Sequence, residues 1–264
     1  MTEASGASHS KVRFTDLSLT DAQLSNVDVT RGNFWRVRMR GVWIGEAEIN
    51  GQIEGLRING VDVGPLVEAE LDRRHPDRAK MRPRDVAGFH EAWDILESLW
   101  AGTVERARAL PPQLLHEQVD GEWSFIQTLR HLVYATDIWV RRAILGDPTP
   151  WHPLSLPFDG TEQDPTVPWD RHARPSLDEV LALRADRMQT VRRVIESLTE
   201  ETLAGTTEPV EGPGYPEPGS YPVRSCLGTV LVEEWEHRLY AERDLDVLQV
   251  TGSSCSPKSN PPCL

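Results

Sequence analysis

Four long amphipathic segments, at about 84–109, 124–145, 176–199 and 222–248, limit what this chain can become more than any other feature. In each, apolar residues return at the three- and four-residue spacing that lines one side of a helix. At 3.6 residues per turn, each segment holds about six turns or more. Helices of similar length bury their apolar sides against one another, so the expectation is a mainly α chain built on a four-helix bundle. Ser124, directly after Trp123, and Ser176, directly after Pro175, stand where side-chain N-caps belong. The connection from Gly146 to Pro175 is long and rich in Pro and Trp, and the one from Gly205 to Pro222 is rich in Gly and Pro. Both are placed to cover one end of the bundle, and loops of that kind tend to be functional or mobile.

The fourth segment contains VEEWEHRLYAERDL, residues 232–245, in which Glu233 and His237 share one helix side, one turn apart. The same stripe runs upstream to Val230 and Cys226 and downstream to Ala241, Leu245 and Leu248, a core pattern. A carboxylate and an imidazole within it need a hydrogen bond, an ion pair or a metal, because an unpaired buried polar group costs about 1–3 kcal/mol. The second segment contributes its single histidine, His131, with Thr128, Ala135 and Ile138 about one turn away. If the second and fourth helices pack together, His131 faces Glu233 and His237. Two imidazoles and one carboxylate with a vacant position are the donor set of a catalytic divalent metal. Two plainer readings stand beside it: a surface Glu–His ion pair and a satisfied core histidine.

The neighbours carry alternatives of the same kind. Asp137 and Glu236 are candidates to orient the imidazoles, against solvated surface roles. Glu234 and Arg238 read as an i, i+4 surface pair. His90 and Trp93 either line the site or fill the core, and Cys226 either approaches the metal or packs as a small hydrophobe. Trp151 and His152, in the Pro-rich connection, are candidates for a lid. Tyr240 and Arg243 lie within about two turns of the ligands and are the candidate cofactor-binding residues, for a substrate carboxylate or a thiol cofactor, against capping or packing roles.

A GEWS turn before a helix with TLRHLVYATDIW, followed by a last helix with EEWEHRLYAERDL, resembles the DinB-like superfamily of four-helix metal proteins. Within it, the likeness is to the branch related to mycothiol-dependent maleylpyruvate isomerase, over roughly residues 84–248. The resemblance implies a DinB-like metal-binding domain at 84–250 with His131, Glu233 and His237 as metal ligands, the Glu matching the isomerase branch. It also implies a divalent metal, zinc first, and an enzyme that activates a low-molecular-weight thiol such as mycothiol for transfer or addition to a small-molecule electrophile. A metal-dependent hydrolase is the alternative within enzymes. A non-catalytic binding or scaffold protein with a structural or vestigial metal site is the alternative outside them.

Ahead of the bundle, residues 12–49 repeat every five positions, with large apolar residues at Phe14, Leu19, Leu24, Val29, Phe34, Met39, Ile44 and Ile49 and smaller or apolar ones two places earlier. After a one-residue slip the pattern returns through Ile53, Ile58 and Val63. Five fits neither helix nor flat strand but suits a four-sided coil. The segment 12–64 resembles the pentapeptide-repeat family, which implies a short right-handed β-solenoid that serves as a buttress or docking surface. Residues 65–83 read as a charged linker broken by Pro65, Pro76 and Pro83. Residues 1–11 and the tail 251–264, with Cys255 and Cys263, are expected to be disordered, the tail being either solvated or a site of modification.

Composition narrows the partners. The formal net charge of -13 over 264 residues disfavours binding to nucleic acid or anionic lipid. No apolar run approaches the roughly 20 residues of a membrane helix, and the N-terminus lacks a signal-peptide pattern, so a cytoplasmic location is expected. Three cysteines are too few for a disulfide framework, which suits a reducing compartment. The sequence carries no signal of oligomeric state.

Overall fold

A computed structural model describes residue 15 and residues 19–22, 24–27, 29, 32–49, 51, 53–161 and 164–254. The chain divides into two compact units, 1–52 and 53–264. Residues 1–11, Phe14, Cys255 and Cys263 lie outside the described residues, and so do the expectations placed on them.

In the first unit the five-residue period is visible as turning. Asp21, Asn26, Arg36, Gly41 and Glu46 all take left-handed backbone, with φ between 51 and 62°. The expected β-solenoid is not formed by the described residues of that unit. They include no strand, and the large repeat residues face solvent, Leu24 at 71% and Phe34 at 67% exposure. Two to three coils give each coil too few neighbours to bury its apolar side, which is what makes longer repeat arrays stable.

The second unit opens with a two-stranded antiparallel hairpin, β1 (Arg57–Ile58) and β2 (Val61–Asp62), turning through Asn59 and Gly60. The stretch expected to be a linker is instead ordered secondary structure: α1 (Gly64–Arg74) and a 3-10 helix, Pro76–Met81. The prolines start these elements rather than breaking them, since Pro65 and Pro76 sit in first turns, where no backbone N–H is needed. Met81 is buried in the core.

The four amphipathic segments become α2 (Val86–Arg108), α3 (Phe125–Thr136), α4 (Leu177–Glu196) and, after the short α5 (Glu200–Ala204), α6 (Val223–Ser254). Each of α2, α3, α4 and α6 touches two others in the cyclic order α2, α6, α3, α4, which closes a four-helix bundle. The α2 stripe shows the logic: Phe89, Ala92, Trp93, Leu96, Trp100, Thr103 and Ala107 are its buried residues, at helical spacing. Asp85 caps α2, and Ser124 and Ser176 each form a full capping box, with Gln127 and Glu179. The second segment changes pitch at Asp137, where a π-helical stretch, Asp137–Ile144, continues α3. α6 runs to Ser254, four residues into the expected tail.

The long connections are clamped. Arg130, 1% exposed, donates to the carbonyls of Leu154 at 2.8 Å, Ala173 at 2.7 Å and Asp170. Arg142, equally buried, holds the carbonyls of Pro148 at 2.9 Å and Gly212 at 2.8 Å. Among the described residues no helix is long and apolar enough to cross a membrane.

Candidate metal centre

Because α3 packs directly on α6, His131 meets Glu233 and His237, and one ligand atom from each lies within 4.8 Å of the others. His131 Nε2 is 3.4 Å and His237 Nδ1 3.2 Å from Glu233 Oε2. The two imidazoles stand with centroids 4.8 Å apart and planes at 27°.

Backbone carbonyls settle which ring nitrogens carry protons. His131 Nδ1 lies 3.0 Å from the Leu156 carbonyl, and His237 Nδ1 lies 3.0 Å from the Glu233 carbonyl. A carbonyl only accepts, so both Nδ1 atoms donate, and the Nε2 of each neutral ring keeps a lone pair. Leu156 is itself fixed, its N–H donating to the Arg130 carbonyl at 3.2 Å. In the neutral form of His131, its Nε2 and Glu233 Oε2 are two acceptors face to face, and Oε2 is buried with no hydrogen-bond partner. Such a gap needs a proton or a cation to close it.

The electrostatics favour an ionised Glu233 and a neutral His237. Burial first, then the His131 charge, pushes His237 down to about 4, against the pull of Glu233. Burial raises Glu233, but the adjacent His131 and His237 outweigh it and hold the carboxyl below its ordinary range. A neutral imidazole and an ionised carboxylate are what a divalent ion binds.

Trp123 is a feature that sequence reasoning missed. Its ring lies 4.5 Å from that of His131 and 6.0 Å from that of His237, walling both imidazoles. The signal was its place in GEWS, immediately before the cap of the His131 helix. The Leu156 carbonyl had no sequence signal, since only tertiary folding brings it to His131.

Of the other candidates, Tyr240 packs edge-on to His237 at 6.1 Å. Arg243 lies over the Tyr240 ring at 5.5 Å and is already paired with Glu122 at 2.5 Å and Asp244 at 2.8 Å. Asp137 does not reach the imidazoles: it is fully buried and bonded to Ser155 at 3.1 Å and Arg187 at 2.7 Å. Glu236 faces Arg78 at 3.6 Å. The expected Glu234–Arg238 surface pair is absent, because Glu234 points into the bundle and takes both arms of Arg184, at 3.0 and 2.6 Å, while Arg238 bonds Thr103 at 3.0 Å. Trp93 is core and bonds Glu97 at 2.9 Å, with half-buried His90 outside the ligand group. Cys226 is fully buried, its thiol pushed up to about 11 by burial, and it also lies outside the group. Trp151 is not poised as a lid, since it packs with Tyr134 and Trp169, and His152 Nδ1 accepts from the Leu154 N–H at 3.1 Å.

No curated protein and no solved structure matches the chain. A family model described as the DinB superfamily does match, over residues 95–241, and nothing in that match singles out a thiol-dependent isomerase branch or a pentapeptide repeat. The matched stretch spans more than half of the chain and includes His131, Glu233 and His237, and by it the chain belongs to the DinB superfamily.

Proposed function

We propose that this protein is a divalent-metal-dependent enzyme that activates a low-molecular-weight thiol, mycothiol or one like it, for transfer or addition to a small electrophile. The observation that carries the metal is the buried, partnerless Glu233 Oε2 facing two imidazoles whose Nδ1 protons are committed to carbonyls. Two nitrogen donors and one carboxylate suit zinc with an open position. A cation held there supplies a Lewis acid that lowers the pKa of a thiol or water reaching it.

The chain's own residues do the rest. Leu156 fixes the His131 tautomer, Trp123 shields one side of the imidazoles from water, and Tyr240, 43% exposed, stands at the open edge. Cys226 is fully buried and its thiol is pushed up to about 11 by burial, which makes it a poor candidate for the reacting thiol. Membership of a superfamily that includes metal-dependent enzymes supports the reading.

The test is metal content by plasma mass spectrometry on untagged protein, wild type beside His131→Ala and His237→Ala, followed by a thiol and electrophile screen. The expected result is near one equivalent of a transition metal, lost in both variants, with thiol-dependent turnover. A wild type that stays metal-free after reconstitution overturns the metal. Metal-dependent turnover of esters or amides without thiol replaces thiol transfer with hydrolysis.

A further inference from the structure

An open groove of about 430 Å³ runs beside the first half of α6 and has Glu233 in its lining. That size is typical of small-molecule sites. Its wall is chemically graded. Arg224 lies at one end, at the N-terminal turn of α6, where the helix dipole also favours an anion. Val232 and the half-buried Pro83 contribute apolar surface over the buried Met81 and Phe89, and Glu233 lies at the other end.

Arg224 is the cation here that the protein has not neutralised. Arg82, also in the lining, is taken up by Asp72 and Glu68. Arg224 instead donates through one Nη1 to the Arg84 carbonyl at 2.5 Å and the Pro83 carbonyl at 3.5 Å, and among the described residues it has no carboxylate partner. In a chain of formal charge -13, an arginine without an acid beside a groove is an anion site in waiting.

Gly228 lies between the two ends. It is an interior residue of α6, where glycine weakens a helix, and a Cβ added there meets nothing within 4 Å. No contact within the protein requires glycine; what it leaves open is the groove.

We infer that this groove is the subsite for an elongated, apolar small-molecule carboxylate, anchored on Arg224, lying across Gly228 and reaching Glu233 with its far end. Nine residues of helix separate the anchors, about 13 Å between their backbones along the axis. The inference rests on the metal reading of Glu233 for what happens at the far end, but not for binding.

The experiment is calorimetric titration of full-length wild type, Arg224→Gln and Gly228→Leu with octanoate and with 1-octanol, with zinc content measured on the same samples. Wild type should bind octanoate at one site at least about tenfold more tightly than octanol, a charge-assisted margin. Arg224→Gln should erase that margin, and Gly228→Leu should block both ligands while keeping wild-type zinc. Equal affinity for octanoate and octanol, or octanoate binding unchanged by both substitutions, overturns the subsite, and does so even where zinc is present. The expected binding pattern in protein that never takes up zinc upholds the subsite and overturns the metal reading instead.

Discussion

Glu233 and Glu234 are adjacent in α6, and both bury carboxylate oxygens, yet the protein treats them in opposite ways. Glu234, 1% exposed, meets the Arg184 guanidinium through both oxygens, and that guanidinium lies 4.6 Å over the Trp100 ring. Glu233 has a buried oxygen with no hydrogen-bond partner, 3.4 Å from His131 Nε2 and 3.2 Å from His237 Nδ1. A buried charge answered from within the chain fastens α4 to α6. A buried oxygen left without a hydrogen bond is the one that the proposed metal would answer. A rotation of about 100° along one helix separates the two roles.

The sharpest way to break this contrast is to remove each carboxylate in turn. Glu234→Ala strands the Arg184 charge in the core and should cost about 3–5 kcal/mol in urea unfolding. Glu233→Gln in metal-free protein should cost far less than Glu234→Ala, about 1 kcal/mol, since its Oε2 makes no hydrogen bond. Added zinc should raise the melting temperature of wild type, and Glu233→Gln should abolish that rise. Comparable losses from both substitutions would mean that Glu233 is as structural as its neighbour.

Acid should distinguish the two regions next. His237 is held at about 4 against an ordinary 6.5, so above 6.5 it is neutral folded and unfolded, and its contribution is complete. As pH falls below 6.5 the unfolded imidazole takes a proton that the folded one refuses, and stability declines until the folded site titrates near 4. Glu233, also lowered, adds loss of the same sign below its ordinary 4.5. Urea midpoints of metal-free protein should fall through this window, and His237→Gln should lack the upper part of the decline. A pH-independent effect should come from a residue remote from both carboxylates: Ser176→Ala removes one helix cap and should cost about 1 kcal/mol at any pH in that range, with metal uptake unchanged.

The bundle was legible because period and caps are local. Ser124 and Ser176 mark their helices by side-chain chemistry alone, and the four-residue step from Glu233 to His237 puts them on one side in any helix. The juxtaposition with His131 needed only that α3 and α6 touch, which they do. What stayed hidden depended on partners distant in sequence. Glu234 reads as a surface residue until Arg184, fifty positions away, is known to face it. Residues 65–83 read as a linker because a proline that opens a helix and one that breaks it look alike without the first-turn context. The five-residue period predicted turning, and turning is there, but a period does not say whether enough coils stack to bury their sides.

One contact carries further than the rest. His131 takes its orientation from Leu156, a residue of the Pro-rich loop, and Arg130, the residue before His131, grips that same loop through Leu154, Asp170 and Ala173. The imidazole is thus oriented by the loop's docking rather than by the helix that bears it. Cleaving or loosening the loop would leave helical content intact while freeing the ring to swing and exchange its protons. Such damage would show as a shortened residence time of the bound ion, and a far-ultraviolet spectrum would be blind to it.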